Sequence, residues 1–73
     1  MSQSFHVTAY YRDNGDIIDV HKDGIEAENK AQAAHKMMEI MEEQHLPEGT
    51  SLFGDIEVST GNEAPDLFPP IRP

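Results

Sequence analysis

Histidine and aspartate side chains are the groups in this sequence that could bind a metal ion. The predicted first hairpin places His6 and His21 on one exposed face, close to Asp19 and Asp23. Such side chains can bind zinc, but zinc sites also depend on ligand spacing and on hydrogen bonds that orient the ligands. The sequence contains neither an HxxxH nor an HExxH motif. We therefore expect solvated surface histidines, no bound metal and no cofactor.

Pairs of carboxylates, such as Glu42 and Glu43, are the groups that acid–base catalysis could use. Such catalysis needs a concave, partly desolvated site that shifts a pKa. One helix on a small sheet rarely encloses a site of that kind. The sequence also shows no recognisable Ser-His-Asp arrangement and no glycine-rich phosphate loop. We therefore predict that the chain is not an enzyme.

A β-hairpin is the first element that must position these residues. Residues 5–12 alternate between two faces and are rich in aromatic and β-branched side chains, which is typical of a strand with one buried face. The Asn14-Gly15 pair is favoured in tight hairpin turns because both residues tolerate positive φ. A two-residue turn there pairs Asp13 with Asp16. These two carboxylates repel each other, so a longer loop is the alternative.

The register set by this turn decides which side chains share the exposed face of the hairpin. It places Tyr10 opposite Asp19 and His6 opposite Asp23. The other face then carries apolar residues from both strands, as one buried sheet face requires. Gly24 predicts a bulge or bend before the second strand returns to the core.

An amphipathic helix follows the hairpin. Asn29 is a favourable N-cap, and Gln32 three residues later makes a variant of the capping box. Residues 45–47 and Gly49 predict the end of the helix. Core packing of the apolar half is favoured over a methionine-rich binding surface. This half comprises Ala33, Ala34, Met37, Met38, Ile40 and Met41.

A third strand completes the predicted domain, which spans residues 1–60. Residues 51–59 favour a strand with Ile56 and Val58 facing the core and Gly54 at a kink. The order β-β-α-β predicts a two-layer α+β fold, with one helix packed on a small, mainly antiparallel sheet. The strand order stays open. If the third strand lies beside the first, we expect the helical crossover to make those two strands parallel.

A proline-rich tail, residues 61–73, follows this domain. Its last ten residues, Ala64 to Pro73, contain four of the five prolines of the chain. Leu67, Phe68 and Ile71 are apolar, and proline lowers the entropy that an extended segment loses on docking. Packing on the chain's own domain or on a dimer mate is therefore favoured over display as a linear motif.

The net charge restricts the classes of partner. Fourteen acidic and five basic residues give a formal charge of −9. This charge argues against direct binding to nucleic acid or to an anionic membrane, where clustered Lys and Arg are needed. It is compatible with a basic protein surface, including one that normally binds nucleic acid. No apolar run approaches the ~18 residues that span a bilayer, and residues 1–7 do not resemble a signal peptide, so we expect a cytoplasmic protein.

Two acidic surfaces and two aromatic residues are the candidate contacts with such a partner. Carboxylates cluster on the hairpin and on the polar side of the helix, where a solvated surface is the alternative interpretation. An exposed aromatic residue among polar groups is a common interface anchor. The candidate partner-binding residues are Tyr10, Asp16, Asp19, Asp23, Glu39, Glu42, Glu43 and Phe68.

The hairpin, the helix entry "IEAENKAQAAHKM", the closing strand and the acidic balance together resemble small α+β proteins of phages and mobile elements. Anti-CRISPR-type inhibitors are among the proteins of this size and charge. The resemblance implies a protein-binding inhibitor in the cytoplasm of a host cell, and it assigns no functional residue. The alternative is a self-associating accessory protein, with a homodimer formed through the helix face or a sheet edge.

Overall fold

The computed structural model describes residues 2–46, 50, 52–61 and 63–69. These residues form one helix and four strands, which are connected in the order β-β-α-β-β. The predicted α+β class, with one helix packed on a small antiparallel sheet, is confirmed. The elements are β1 (Gln3–Asp13), β2 (Asp16–Ala27), α1 (Lys30–Gln44), β3 (Ile56–Ser59) and β4 (Asp66–Phe68).

The β1–β2 hairpin has the predicted turn. Asn14 and Gly15 have φ values of 53° and 88°, as expected of a two-residue turn that matches the twist of its strands. Asp13 pairs with Asp16, and the predicted register holds as far as Val7 and Lys22. The alternative of a longer loop is therefore excluded.

A β-bulge interrupts the hairpin at Gly24, as predicted. Val7 pairs with Lys22, but the next pair along the ladder is Phe5 with Ile25. Asp23 and Gly24 together therefore lie opposite His6, and Gly24 has a φ of 73°. Glycine suits this position because a Cβ atom disfavours the left-handed region.

The sheet has the strand order β2-β1-β3-β4, and all of its pairs are antiparallel. The third strand does lie beside the first, but the expectation that these two strands would be parallel is wrong. The crossover through α1 makes β3 parallel to β2, which is the strand that leads into the helix. Because β1 is antiparallel to β2 and lies between β2 and β3, it is antiparallel to both of its neighbours.

Side-chain hydrogen bonds begin α1 as the sequence predicts. The backbone N–H of Gln32 donates to Asn29 Oδ1 at 2.8 Å, which satisfies one of the free donors of the first turn. The side chain of Gln32 accepts from the N–H of Glu28 at 2.7 Å. At the other end, the N–H groups of His45 and Leu46 both donate to the carbonyl oxygen of Met41. The predicted stop signals Pro47 and Gly49 lie outside the described residues.

The core lies between α1 and the inner face of the sheet, by which we mean the face that the helix covers. Met37 and Met41 are fully buried, so they are core residues as predicted, while Met38 and Ile40 are partly buried. Close packing of apolar side chains in this layer supplies most of the favourable free energy of folding. The buried residues are Phe5, Val7, Ala9, Ile25, Ala27, Ala33, Ala34, Met37, Met41, Leu52, Ile56 and Val58.

Part of the proline-rich tail is a strand of the sheet. β4 extends β3 through three pairs, in which Phe68 lies opposite Ile56 and Leu67 opposite Glu57. The side chain of Phe68 is partly buried against the core. This segment therefore packs on its own domain, as favoured above. Ile71 lies outside the described residues.

Lys30 connects the start of α1 to β4 and to the segment before it. Its Nζ lies 2.8 Å from Glu63 Oε1 and 2.9 Å from Asp66 Oδ2. The pKa of Glu63 is lowered from 4.5 to about 2, mainly by the hydrogen bond from Lys30 and further by hydrogen bonds from Thr60. Since this carboxyl is more acidic in the folded chain, its interactions stabilise the fold above pH 4.5, and this contribution is lost as the pH falls towards 2.

The Lys30→Met variant is expected to raise the pKa of Glu63 part of the way from about 2 towards 4.5. The rise is incomplete because the bonds from Thr60 remain. An NMR titration of the side-chain carboxyl resonances measures this directly. Lys36→Met is the matched control, since Lys36 donates to the backbone oxygen of Glu26 and touches neither carboxylate. A Glu63 that titrates at its ordinary pKa in the unaltered chain would contradict the prediction.

Candidate functional site

The outer face, by which we mean the sheet surface turned away from α1, is the candidate site. Side chains alternate along a strand, so the polar positions of the hairpin point away from the helix. Pairing across β1, β2, β3 and β4 adds residues from the other strands to the same surface. The outer face carries His6, Thr8, Tyr10, Ile17, Asp19, His21, Asp23, Glu57 and Leu67, with Phe53 beside it.

An apolar groove crosses this face. Three of its side chains are large and well exposed: Ile17 at 50%, Phe53 at 43% and Leu67 at 59%. Together with Tyr10 they line a shallow groove of about 380 Å³. Gly54, Asp55 and Glu57 complete its wall. We call this feature the outer-face groove. It places apolar surface directly beside carboxylates.

Phe53 is held at the groove by two contacts. Its backbone N–H donates to the carbonyl oxygen of Tyr10 at 2.7 Å. The guanidinium carbon of Arg12 lies 4.9 Å from the centre of the Phe53 ring. A cation over the face of an aromatic ring is attracted to it electrostatically. The Phe53 ring is therefore exposed to solvent but held in one orientation by these contacts.

Tyr10 is fixed in the floor of the groove. It is partly buried, and its hydroxyl donates to Glu57 Oε2 at 2.8 Å. This hydrogen bond is the main cause of a raised pKa of Tyr10, because the bonded carboxylate favours the neutral phenol. The predicted anchor therefore lies on the outer face, with its orientation already set.

A His-Asp cluster, consisting of His6, His21 and Asp23, lies further along the same face. Asp23 Oδ1 is 2.6 Å from His6 Nδ1 and 2.7 Å from His21 Nε2. Hydrogen bonds from His6 and then from His21 lower the pKa of Asp23. The Oγ1 of Thr8 lies 2.7 Å from His21 Nδ1. The three groups that the register predicted on one face are thus in direct contact.

The two predicted acidic surfaces lie on two sides of the molecule. Asp19 and Asp23 are on the outer face, and Asp16 lies at the turn of the hairpin opposite Asp13. The three helix glutamates lie on the exposed side of α1, in the other layer. The structure therefore does not bring the two acidic surfaces together. The acidic surface of the helix consists of Glu39, Glu42 and Glu43. The carboxylate of Glu39 contacts the imidazole of His35 at 2.9 Å.

Phe68 is separated from the outer face as well. It points to the inner side of β4, where it lines a cavity of about 170 Å³ between the strand and α1. Its neighbours there include Ala34, Met38 and Ile56. The ring therefore covers the edge of the core, and only its exposed part is available to a partner.

Three residues of the outer-face groove are not predicted as partner contacts from the sequence. The register that pairs Ile17 with Arg12 already turns Ile17 outward, so this residue could have been found. Phe53 and Leu67 lie in segments without a clear period, and their position depends on how β3 and β4 join the sheet. Only the tertiary arrangement brings them to the groove.

The resemblance to small phage proteins rests on the order of elements, the size and the charge, and it stays a prediction. Within the part of the chain that the structure describes, no helix has the length and apolar character needed to cross a membrane. No protein-family model, curated protein or solved structure matches the chain.

Proposed function

We propose that the chain is a non-enzymatic protein-binding module that docks through its outer face on a basic surface of a larger protein. The observation that supports this proposal is the outer-face groove, where exposed apolar side chains adjoin carboxylates. The more specific form of this proposal is that the module is an inhibitor. By occupying a basic surface that normally binds nucleic acid, it would keep the nucleic acid from binding there.

The apolar part of the groove would supply the affinity. Single exposed apolar residues are normal on protein surfaces. Here, however, Ile17, Phe53 and Leu67 share one groove with Tyr10. Interfaces are enriched in aromatic residues at their centre and in polar residues at their rim. Tyr10 and Phe53 are already oriented by their contacts, so they would lose little conformational freedom on binding.

The charged part of the groove would supply the choice of partner. Asp55 and Glu57 line it, and Asp19 lies opposite Tyr10 in the adjacent strand. With a formal charge of −9, the whole chain attracts a cationic surface and repels an anionic one. Complementary charge of this kind speeds association and makes it sensitive to salt.

Two matched charge reversals test the proposal. In the first variant Asp19 and Asp55 become lysine, and in the second Glu42 and Glu43 become lysine. Both change the net charge equally, but the first alters the outer face and the second the far side of α1. A partner captured from the native host at low salt is identified by mass spectrometry, and its binding to each variant is measured.

The outer-face variant is expected to lose at least about 10-fold in affinity, mainly through slower association, while the helix variant loses less. Equal losses would show that only net charge matters, and failure to capture any partner would remove the support for the proposal. If the partner binds nucleic acid, adding the chain should weaken that binding. Unchanged nucleic-acid binding would exclude the inhibitor form.

Self-association is the second candidate function. Among the described residues, β2 has a neighbouring strand on one side only, and it runs for twelve residues. A long free edge can pair with a second copy of the chain. The apolar half of α1 is largely covered by the sheet, so the edge is the better route to a homodimer. Sedimentation velocity separates the candidates, because a stable homo-oligomer favours self-association and a monomer favours the binding module.

A further inference from the structure

Although the sequence motifs lead to the expectation of no bound metal, we propose from the side-chain geometry that the His-Asp cluster binds a divalent transition-metal ion, with Zn²⁺ as the ion that its donor set fits best. One atom from each of His6, His21 and Asp23 can serve as a ligand, and these three atoms lie within 4.8 Å of one another. Two imidazole nitrogens and one carboxylate oxygen form a ligand set that zinc sites use, with water as the fourth ligand. This site is separate from the groove that carries the proposed function.

The three ligand atoms already converge on one point. Both imidazole nitrogens face Asp23 Oδ1, at 2.6 and 2.7 Å, and the two rings are nearly parallel, with an angle of 9° between them. Around a tetrahedral zinc ion, bonds of about 2.0 Å place ligand atoms about 3.3 Å apart. The carboxylate oxygen therefore has to move by less than about 1 Å from each nitrogen to admit the ion.

The side chains have the freedom to make this adjustment. The exposed fractions of His6, His21 and Asp23 are 45%, 51% and 65%. Their backbones, by contrast, are fixed by the sheet, because His21 is paired with Thr8 and the bulge at Gly24 lies opposite His6. A rigid frame with adjustable side chains keeps the ligands close together without an ion and allows them to rearrange around one.

Thr8 supports the same interpretation. Its Oγ1 lies 2.7 Å from His21 Nδ1. Once an ion replaces the hydrogen bond from Nε2 to Asp23, Nδ1–H can donate to the Thr8 oxygen, which keeps the proton on Nδ1 and leaves the lone pair of Nε2 for the ion. Metal-bound histidines almost always have such a hydrogen bond at the other ring nitrogen.

The donor set also predicts which ions the site prefers. Imidazole nitrogen suits Zn²⁺, Cu²⁺ and Ni²⁺, whereas Mg²⁺ and Ca²⁺ require oxygen ligands. A chain with a formal charge of −9 attracts all cations weakly through its carboxylates. An excess of Mg²⁺ should therefore suppress this diffuse attraction but should not displace zinc from the cluster.

The experiment uses the full chain without a His-tag, in buffer with excess Mg²⁺. Co²⁺ is titrated first, because its visible spectrum reports the ligands and the geometry around the ion, and Zn²⁺ is then titrated by calorimetry. We expect one ion per chain, displacement of Co²⁺ by Zn²⁺, and a rise in Tm on adding Zn²⁺. The His21→Asn and Asp23→Asn variants should each lose more than about 10-fold in affinity, and Thr8→Val about 10-fold.

His35→Gln is the matched control. His35 also contacts a carboxylate, that of Glu39 at 2.9 Å, but it lies on α1, and no described residue supplies a third ligand beside it. This variant should bind zinc as tightly as the unaltered chain. Circular dichroism in metal-free buffer checks that each variant is folded. The absence of one-to-one binding, or an equal loss in His35→Gln and His21→Asn, would overturn the proposal.

Discussion

Phe5→Ala is expected to lower the free energy of unfolding by about 3–5 kcal/mol. Phe5 is among the largest fully buried side chains, with 2% of its surface exposed. It lies on β1, which has paired neighbours on both sides. Its removal leaves a cavity that the surrounding side chains fill only in part. Domains are stabilised by roughly 0.05–0.15 kcal/mol per residue, so this loss would consume much of the stability of a 73-residue chain.

Phe53→Ala is the matched control for this prediction. Phe53 is 43% exposed, and its ring contacts the guanidinium of Arg12. Loss of that contact should cost about 1 kcal/mol or less. Urea denaturation of both variants gives the two free energies. Similar losses in the two variants would mean that β1 does not carry the centre of the core.

Removal of residues 61–73, by ending the chain after Thr60, is the second change with a large expected effect. It deletes β4, removes both carboxylate partners of Lys30 and uncovers the edge of the core beneath Phe68. Full burial of a phenylalanine contributes roughly 1.5–3 kcal/mol, and Phe68 is only partly buried. With the lost strand pairing added, we expect a fall of at least about 2 kcal/mol in the free energy of unfolding.

Two point variants keep this prediction testable if the shortened chain does not fold. Phe68 and Leu67 are neighbours in β4 and point to opposite faces of the sheet. Phe68→Ala should cost about 1–2 kcal/mol, whereas Leu67→Ala, at a side chain that is 59% exposed, should cost less than about 0.5 kcal/mol. Thermal denaturation ranks the two. A larger loss in Leu67→Ala would contradict the placement of Phe68 against the core.

The hairpin and the helix could be predicted because their signals are local. Asn14 and Gly15 fix a turn whose register follows directly along both strands. Asn29 and Gln32 mark the start of α1 through a hydrogen bond within one turn of the chain. In both cases the turn or cap residues and the hydrophobic periodicity indicate the same structure, so the prediction from local sequence is correct.

β4 and the position of β3 in the sheet could not be predicted in the same way. β4 has three residues, too few for an alternating pattern, and its sequence Asp66–Phe68 is followed by proline. Its pairing with β3 depends on contacts between distant parts of the chain, such as the ion pair between Lys30 and Asp66. The order of β1 and β3 likewise depends on how α1 crosses the sheet.

The candidate site was predictable to the extent that the hairpin forms it. Tyr10, Asp19 and the His-Asp cluster share one face because the register of β1 and β2 is fixed. Phe53 and Leu67 reach the groove only through the fold of the second half of the chain. The hairpin and helix carboxylates are predicted as two acidic surfaces, and a whole layer of the domain lies between them.

The bulge at Gly24 changes which residues of β2 face the core. Before the bulge, the residues of β2 that face the core have even numbers; Val20, for example, pairs with the buried Ala9. After the bulge they have odd numbers, and Ile25 and Ala27 are buried. If the same sequence paired without a bulge, strict alternation would turn Ile25 and Ala27 towards the solvent and Glu26 towards the core. A deletion of Gly24 would remove the extra residue, so Ile25 and Ala27 would still face the core, but the bulge beside Asp23 would be lost. The glycine therefore links the core beneath α1 to the His-Asp cluster on the opposite face, because one backbone distortion keeps both in register.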